Sequence, residues 1–343
     1  MKKVLVIYNG GTIGMQSSDR GYVPMPGYLQ QLMAKIPAFS HPDVPDYDII
    51  EQHPLMDSAN MYPDRWWSIA QLIEQYHARY AGFVILHGTD TLAYTASALP
   101  FMLQGLRKPV ILTGSQIPLC EVRNDAQENL ITSLILAARF DIPEVCLYFG
   151  GRLLRGCRST KLDASGLQAF GSPNYPWLGE AGIQITIHQE RLLKSSELPS
   201  TLTVAPMHKA TVGSLRLFPG ISATVLENLL LPPIQGLVLE SYGVGNGPAN
   251  NPVFLRVLRQ AAERGVVLVN CTQCVKGRVV SQAYATGQAL REAGVVSGQD
   301  LTTEAALAKL FYLLSNGQDP EMIRQDMLRN ICGELTEEGS ESP

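Results

Sequence analysis

The chain has 343 residues, 45% of them hydrophobic, with 27 basic against 31 acidic side chains and a formal net charge of −4. That length allows two domains with separate cores, and that composition excludes a disordered chain. The near-balance of charge, with no basic block to neutralise phosphates, argues against a nucleic-acid partner. No apolar run approaches the ~18 residues that span a bilayer, so no membrane segment is expected.

The six cysteines read as reduced thiols rather than a disulfide framework. Only Cys271-Thr272-Gln273-Cys274 has suggestive spacing. Without a second pair, ligand-spaced histidines or a thioredoxin-like context, it reads as buried structural thiols and not as a zinc or redox site. No metal or organic cofactor is expected, and a small molecule is the default partner.

From the N-terminus, Val4-Leu5-Val6-Ile7-Tyr8 is too short for a secretory signal and ends in Asn9-Gly10-Gly11 without a cleavage site. It reads as a first core strand, and a cytoplasmic location is expected. The turn Asn9-Gly10-Gly11-Thr12-Ile13-Gly14 presents a threonine. Residues 15–26, rich in Gly, Ser, Asp and Pro and carrying Tyr22, read as a flexible loop, either a lid or plain surface. A helix is expected over 27–36 and a strand over 47–52. A helix over 63–79 follows, with Trp66, Ile69, Ala70, Ile73 and Tyr76 on one face. Asp57 and Ser58 precede that helix as loop or cap residues.

The stretch Gly82-Phe83-Val84-Ile85-Leu86-His87-Gly88-Thr89-Asp90-Thr91 organises the rest. Four unbroken apolar residues, Phe83 to Leu86, predict a strand buried on both faces of a parallel sheet, and such sheets bind ligands beyond the carboxyl ends of their strands. His87 to Thr91 is then either a turn in which Thr89 or Asp90 caps a helix over 91–102, or a site. Two strands end in threonines.

At this pair the chain resembles the L-asparaginase family, whose signatures are a Gly-Gly-Thr-Ile/Val loop after the first strand and a His-Gly-Thr-Asp-Thr loop after a later one. The second matches in full; the first departs once, with Asn9 where the family usually has Thr. The resemblance runs from Lys3 to about Arg329 and favours the cytoplasmic, type I branch. It implies an N-terminal parallel-sheet, Rossmann-like α/β domain with the active site at strand C-termini, and a smaller C-terminal α/β domain. It also implies hydrolysis of L-asparagine without a cofactor, in dimers usually paired into tetramers.

Downstream, strand Val110–Thr113 runs into Gly114-Ser115-Gln116-Ile117-Pro118, a third strand end rich in hydrogen-bonding groups that brings Ser115 to the site. Asp125, with Glu128 three positions on, is assigned the capping role of a helix running to 139. Strand Val145–Phe149 ends in Gly150-Gly151, and the basic stretch 152–161 has no clear helical period. Its Lys161, an ordinary solvated lysine on residue type alone, is placed by the resemblance, through Arg158-Ser159-Thr160-Lys161, beside Asp90. Composition shifts to Pro, Gly, Ser and mixed charge between 170 and 200, with one short β-like run at 183–188. Strands and helices then alternate over 210–218, 222–231, 234–241, 252–264 and 266–270, before helices near 287–293 and 302–315. The expected organisation is a catalytic α/β domain over 1–185, a linker over 186–205, a smaller α/β domain over 206–335 and a frayed tail over 336–343, with the acidic stretch expected to fray from Glu334 onward. Ser241-Tyr242-Gly243-Val244-Gly245-Asn246-Gly247 is a glycine turn; by resemblance it is a loop in which Asn246 reaches the neighbouring subunit's site.

Amide hydrolysis needs a nucleophile, a path for its proton, donors for the oxyanion and a proton for ammonia. A threonine hydroxyl needs activation. The resemblance assigns Thr12 as nucleophile, with Tyr22 assisting its deprotonation, and Thr89, Asp90 and Lys161 as a second group that activates water. Burial would favour a neutral Lys161 amine and Asp90 the ammonium, so the two effects oppose each other. A zwitterionic substrate suits Asp57 and Asp90 for its ammonium, and Ser58, with Thr89 and Ser115, for its polar groups. One methylene separates asparagine from glutamine, which a pocket distinguishes by only about 1–3 kcal/mol, so some glutaminase activity is expected. Two other readings compete. An amidase subunit acting on misacylated glutamyl-tRNA would carry an extra N-terminal domain and a basic RNA surface. A nucleotide or amino-acid sensor would use Gly10 to Gly14 as a phosphate loop, but the spaced glycine pattern and a following Lys are missing. The regulatory asparagine site of some cytoplasmic members is not carried over.

Overall fold

The computed structural model describes residues 2–19, 21–207, 210–280 and 285–337. The chain divides into two compact units, Met1–Ala205 and Pro206–Ser342.

The first unit is built on an eight-stranded sheet in the order Ile185–Ile187, Gly179–Ala181, Arg152–Arg155, Val145–Phe149, Val110–Thr113, Gly82–Leu86, Val4–Gly10, Tyr47–Met56. The last five are mutually parallel and the first three antiparallel. The apolar runs read from the sequence lie at the centre of this sheet. Val4–Gly10, Gly82–Leu86 and Val145–Phe149 are buried at every position, as strands covered on both faces require. In chain order the five parallel strands run 2-1-3-4-5, so the sheet reverses direction between Val4–Gly10 and Gly82–Leu86. A crevice opens at such a switch point, outside the carboxyl ends of the two strands.

The helix Pro63–Tyr76 buries Trp66, Ile69, Ala70 and Ile73 on one face. Helices Leu92–Met102 and Ala126–Arg139 follow their strands. The stretch expected as a flexible loop is instead an antiparallel hairpin, Met15–Ser18 with Gly21–Pro24; four backbone pairs hold a segment whose side chains carry no apolar alternation. The stretch expected as a linker belongs to the first unit. Thr203–Val204 pairs with Leu103–Gln104, and the Arg107 guanidinium donates to the carbonyls of Leu198 and Pro199 at 3.1 and 3.3 Å.

The second unit has four parallel strands in sequential order, Val212–Arg216, Gly236–Ser241, Val267–Thr272 and Val295–Ser297. One apolar cluster includes Leu237, Phe254 and Leu258; another, including Val238, Val269, Leu310 and Met327, forms around helices Thr303–Ser315 and Pro320–Met327. The expectation of fraying from Glu334 is corrected: Glu334 and Lys309 are fully buried and form an ion pair at 2.7 Å. Thr336 donates to Asp300 through its backbone at 2.9 Å and its hydroxyl at 2.6 Å. The rest of the expected frayed tail, past residue 337, lies outside the described residues.

Candidate active site

The two threonine loops meet at the switch point because glycine lets backbone touch backbone. Gly10 and Gly11 take φ of +107° and +85°, values that favour glycine. A Cβ at Gly10 would collide with the Met56 backbone, and one at Gly11 with the Gly88 backbone. The Gly11 amide donates to the Met56 carbonyl at 3.0 Å. The turn carrying Thr12 therefore lies on His87-Gly88 and beside the residue preceding Asp57. Gly88 in turn has space only for hydrogen against Ser58 Oγ, and Gly114 against the His87 carbonyl. Four loops thus converge, bearing Thr12, Asp57 and Ser58, Thr89 and Asp90, and Ser115.

Lys161 joins them. Its Nζ donates to Thr89 Oγ1 at 3.0 Å and to Asp90 Oδ1 at 2.7 Å. The lysine side chain is 20% exposed and the Asp90 side chain 66%, so the pair faces an open side of the cleft. Thr89 also donates to Gln116 Oε1 at 3.0 Å. Thr12 is half-buried at the start of the short 3-10 turn Thr12–Gly14, where its carbonyl accepts the Met15 amide; its hydroxyl has no hydrogen-bond partner among the described residues. One threonine is held and the other is free.

Asp57 is exposed and caps the turn Ser58–Asn60, accepting the Ala59 amide at 2.9 Å. Ser58 is buried, and its carbonyl accepts the Thr91 hydroxyl at 2.7 Å. Ser115 is 1% exposed, with a hydroxyl that lacks a partner among the described residues. Asn9, the departure from the family pattern, is also buried, with neither side-chain amide atom partnered there.

Tyr22 stands on the hairpin, 46% exposed, and donates to Glu121 Oε1 at 2.7 Å. That hydrogen bond holds the phenol above its ordinary pKa. Sequence reading missed both Glu121 and Gln116. They lie on one segment that also donates from the Leu119 amide to the Ile13 carbonyl at 3.1 Å. Asp125 orders this segment rather than capping its helix by side chain: its carboxylate accepts the Gln116 and Ile117 amides at 3.0 and 2.9 Å. Asn124 Oδ1 takes the helical amide of Gln127 instead, at 3.1 Å.

His87 is buried and structural. Its Nδ1 lies 2.7 Å from the Gly88 carbonyl and so carries the proton. Its Nε2 then accepts from Thr95 Oγ1 at 2.9 Å, and Thr95 accepts from Trp66 Nε1 at 2.9 Å. Burial pushes the imidazole down from 6.5 to about 4 against the smaller raising effect of the Gly88 hydrogen bond. Between those values the unfolded chain binds a proton that the folded chain refuses. Stability should therefore be complete above pH 6.5 and fall by ~3 kcal/mol as the pH drops toward 4. Urea unfolding from pH 7 to 4 measures this; a His87→Asn variant whose pH slope matched that of the parent would contradict it.

The second unit carries Asn246 in its own tight turn, its Oδ1 accepting from Thr286 Oγ1 at 2.7 Å. Cys271 is buried and its thiol pushed up to about 12, chiefly by burial, whereas Cys274 is exposed, so only one of that pair is the buried thiol expected. A cavity of about 1040 Å³ in this unit is lined by Arg278, Arg291, Arg324 and Arg329. Glu337 lines it too, and Glu321 and Asp326 pair with Arg324 and Arg329, so its charge is largely compensated. Among the described residues there is no cluster of three or more His, Cys, Asp or Glu that could hold a metal ion, and no helix long and apolar enough to cross a membrane.

A switch-point cleft with two threonines, a Lys–Asp pair and convergent carboxylate and hydroxyl groups is the equipment of an amidohydrolase. The chain belongs to the asparaginase family: residues 3–193 match its N-terminal domain and residues 211–327 the glutaminase/asparaginase C-terminal domain. It is 52% identical to L-asparaginase 1 of Escherichia coli K12, over 98% of each chain. The crystal structure of L-asparaginase I from Vibrio cholerae superposes with a TM-score of 0.90 at 46% identity, covering 98% of this chain and 99% of that one. The thermostable L-asparaginase from Thermococcus kodakarensis gives 0.88 at 34%, covering 98% and 99%.

Proposed function

We propose that this enzyme hydrolyses L-asparagine to L-aspartate and ammonia through a β-acyl ester on Thr12. The observation that carries the reading is the contrast between the threonines. Thr12 offers a hydroxyl without a partner among the described residues, while Thr89 is fixed between Lys161 and Gln116. In the first step Thr12 Oγ bonds to the amide carbon while Tyr22 assists removal of its proton, which passes to the amide nitrogen as the C–N bond breaks and NH3 leaves. In the second, water ordered by Thr89, Lys161 and Asp90 attacks the ester, and its proton returns to Thr12 as the C–O bond breaks. The ammonium of the substrate lies between Asp57 and Asp90. Ser58, Thr89 and the partnerless hydroxyl of Ser115 take its polar groups.

The same reading includes a minor glutaminase activity, because one methylene is worth only about 1–3 kcal/mol of discrimination. It also includes a homo-oligomer to which Asn246 contributes across subunits. A cytoplasmic location accords with six cysteines that are all free. Ammonia release measured over a wide L-asparagine series, with L-glutamine and D-asparagine alongside, tests the reading. Release from L-asparagine is expected; a sigmoidal curve would add a regulatory asparagine site. A folded protein that releases none would move the assignment to a sensor or to a tRNA-linked amidase.

A further inference from the structure

Gln116 touches the site without having been assigned to it. Its side-chain nitrogen donates to the carbonyls of Ala164 and Gly166, each at 3.2 Å. These two bonds use both amide hydrogens, and a flipped amide would face its oxygen against two carbonyl oxygens, so the orientation is dictated by the network. The amide oxygen must face Thr89, 3.0 Å away. Lys161 Nζ has only donors, and it meets the same hydroxyl from another side at 3.0 Å. The single Thr89 hydrogen therefore lies on Gln116, and a Thr89 lone pair lies on Lys161.

Both ends of this arrangement are fixed. Asp125 accepts the Gln116 amide at 3.0 Å, and Asn129 Nδ2 bonds to Asp125 Oδ2 at 3.3 Å and to the Gly114 carbonyl at 3.0 Å. The turn bearing Ala164 and Gly166 is closed by Asp163 Oδ1, which accepts the Ser165 and Gly166 amides at 2.8 and 2.9 Å.

We propose that Gln116 is a positioning residue that fixes the direction of the Thr89 hydroxyl and so assigns Thr89 to the water step rather than to nucleophilic attack. A neutral amide oxygen is too weak a base to take the proton it holds, so Thr89 remains a hydroxyl. For Thr89 to attack, its hydrogen would have to leave Gln116 and pass to a Lys161 that had first lost a proton. With the hydrogen held by Gln116 and one lone pair by Lys161, the second lone pair of Thr89 is left to accept from the water that cleaves the Thr12 ester. The inference rests on the acyl-Thr12 reading above and specifies which half of it Gln116 serves.

The test is Gln116→Met, similar in length but without donor or acceptor, with ammonia and aspartate followed separately by rapid quench. Ammonia reports formation of the ester and aspartate its hydrolysis. Loss of a positioned group typically costs up to ~100-fold. The expected result is a kcat reduced about 10- to 100-fold, a KM reduced in proportion, and a burst of ammonia ahead of aspartate. Hydroxylamine, a nucleophile that needs no activation, should restore turnover. Unchanged kcat would overturn the proposal. So would equal loss of both products with no burst and no rescue, the signature of a merely structural link between loops. Gln116→Asn, which keeps the amide but withdraws it by one methylene, should give the same burst if the Met variant does not fold; steady release in step would overturn the proposal there too. Absence of ammonia release by the unaltered enzyme would instead sink the acyl-enzyme reading itself.

Discussion

Thr12→Ala is expected to lower kcat for L-asparagine by ~10³-fold or more while leaving the fold intact. Removing a nucleophile costs far more than removing a helper, and the residual rate comes from binding and oxyanion groups that remain. Thr12 suits this comparison because its hydroxyl has no hydrogen-bond partner among the described residues. It lies at the edge of a three-residue turn whose shape is set by Gly10 and Gly11. Loss of that hydroxyl should change stability by no more than ~0.5 kcal/mol, as for substitutions outside packed or bonded networks. Steady-state kinetics and urea unfolding on the same preparation separate the two effects. A variant of parental stability that retained near-normal turnover would remove Thr12 from the nucleophile's role.

The largest expected loss of stability comes from a residue far from any chemistry. Lys309, on helix Thr303–Ser315, is fully buried and donates to Glu334 at 2.7 Å, to the Met327 carbonyl at 3.1 Å and to the Arg329 carbonyl. All three ammonium hydrogens are thus used. Glu334 also accepts the Ile331 amide at 3.0 Å and the Cys332 amide at 2.7 Å, so the pair ties the segment after helix Pro320–Met327 back onto the core. Lys309→Met should destabilise the protein by about 3–5 kcal/mol, because it leaves a buried carboxylate without its counter-charge. Adding Glu334→Gln should cost less than the two separate losses summed, since the charge to be compensated is then gone. Urea midpoints of the single and double variants measure this; additive losses would show that the two side chains act independently.

The central sheet was legible because a strand buried on both faces needs an unbroken apolar run, and residues 4–8 and 83–86 supply one. The threonine loops were legible for a related reason: Gly10, Gly11 and Gly88 occupy points where backbones touch, which leaves a local mark in the sequence. The hairpin carrying Tyr22 left no such mark, since its pairing is a backbone property and, Met15 apart, its side chains are not buried. The burial of Lys309 and Glu334 was hidden because their partnership spans 25 residues of chain, and each alone reads as a surface charge. Gln116 and Glu121 were hidden in the same way. Their partners Thr89 and Tyr22 lie 27 and 99 residues away, distances at which spacing carries no signal. Asp125 reads as a cap from its neighbours, yet its carboxylate turns outward to two amides of the preceding loop.

Locating the covalent intermediate tests the mechanism most directly. L-asparagine turnover quenched in acid, followed by peptide mass analysis, reports which threonine carries the aspartyl ester. The geometry predicts the adduct on the peptide containing Thr12, with more of it accumulating in the Gln116 variants. An aspartyl adduct on Thr89 would contradict the account.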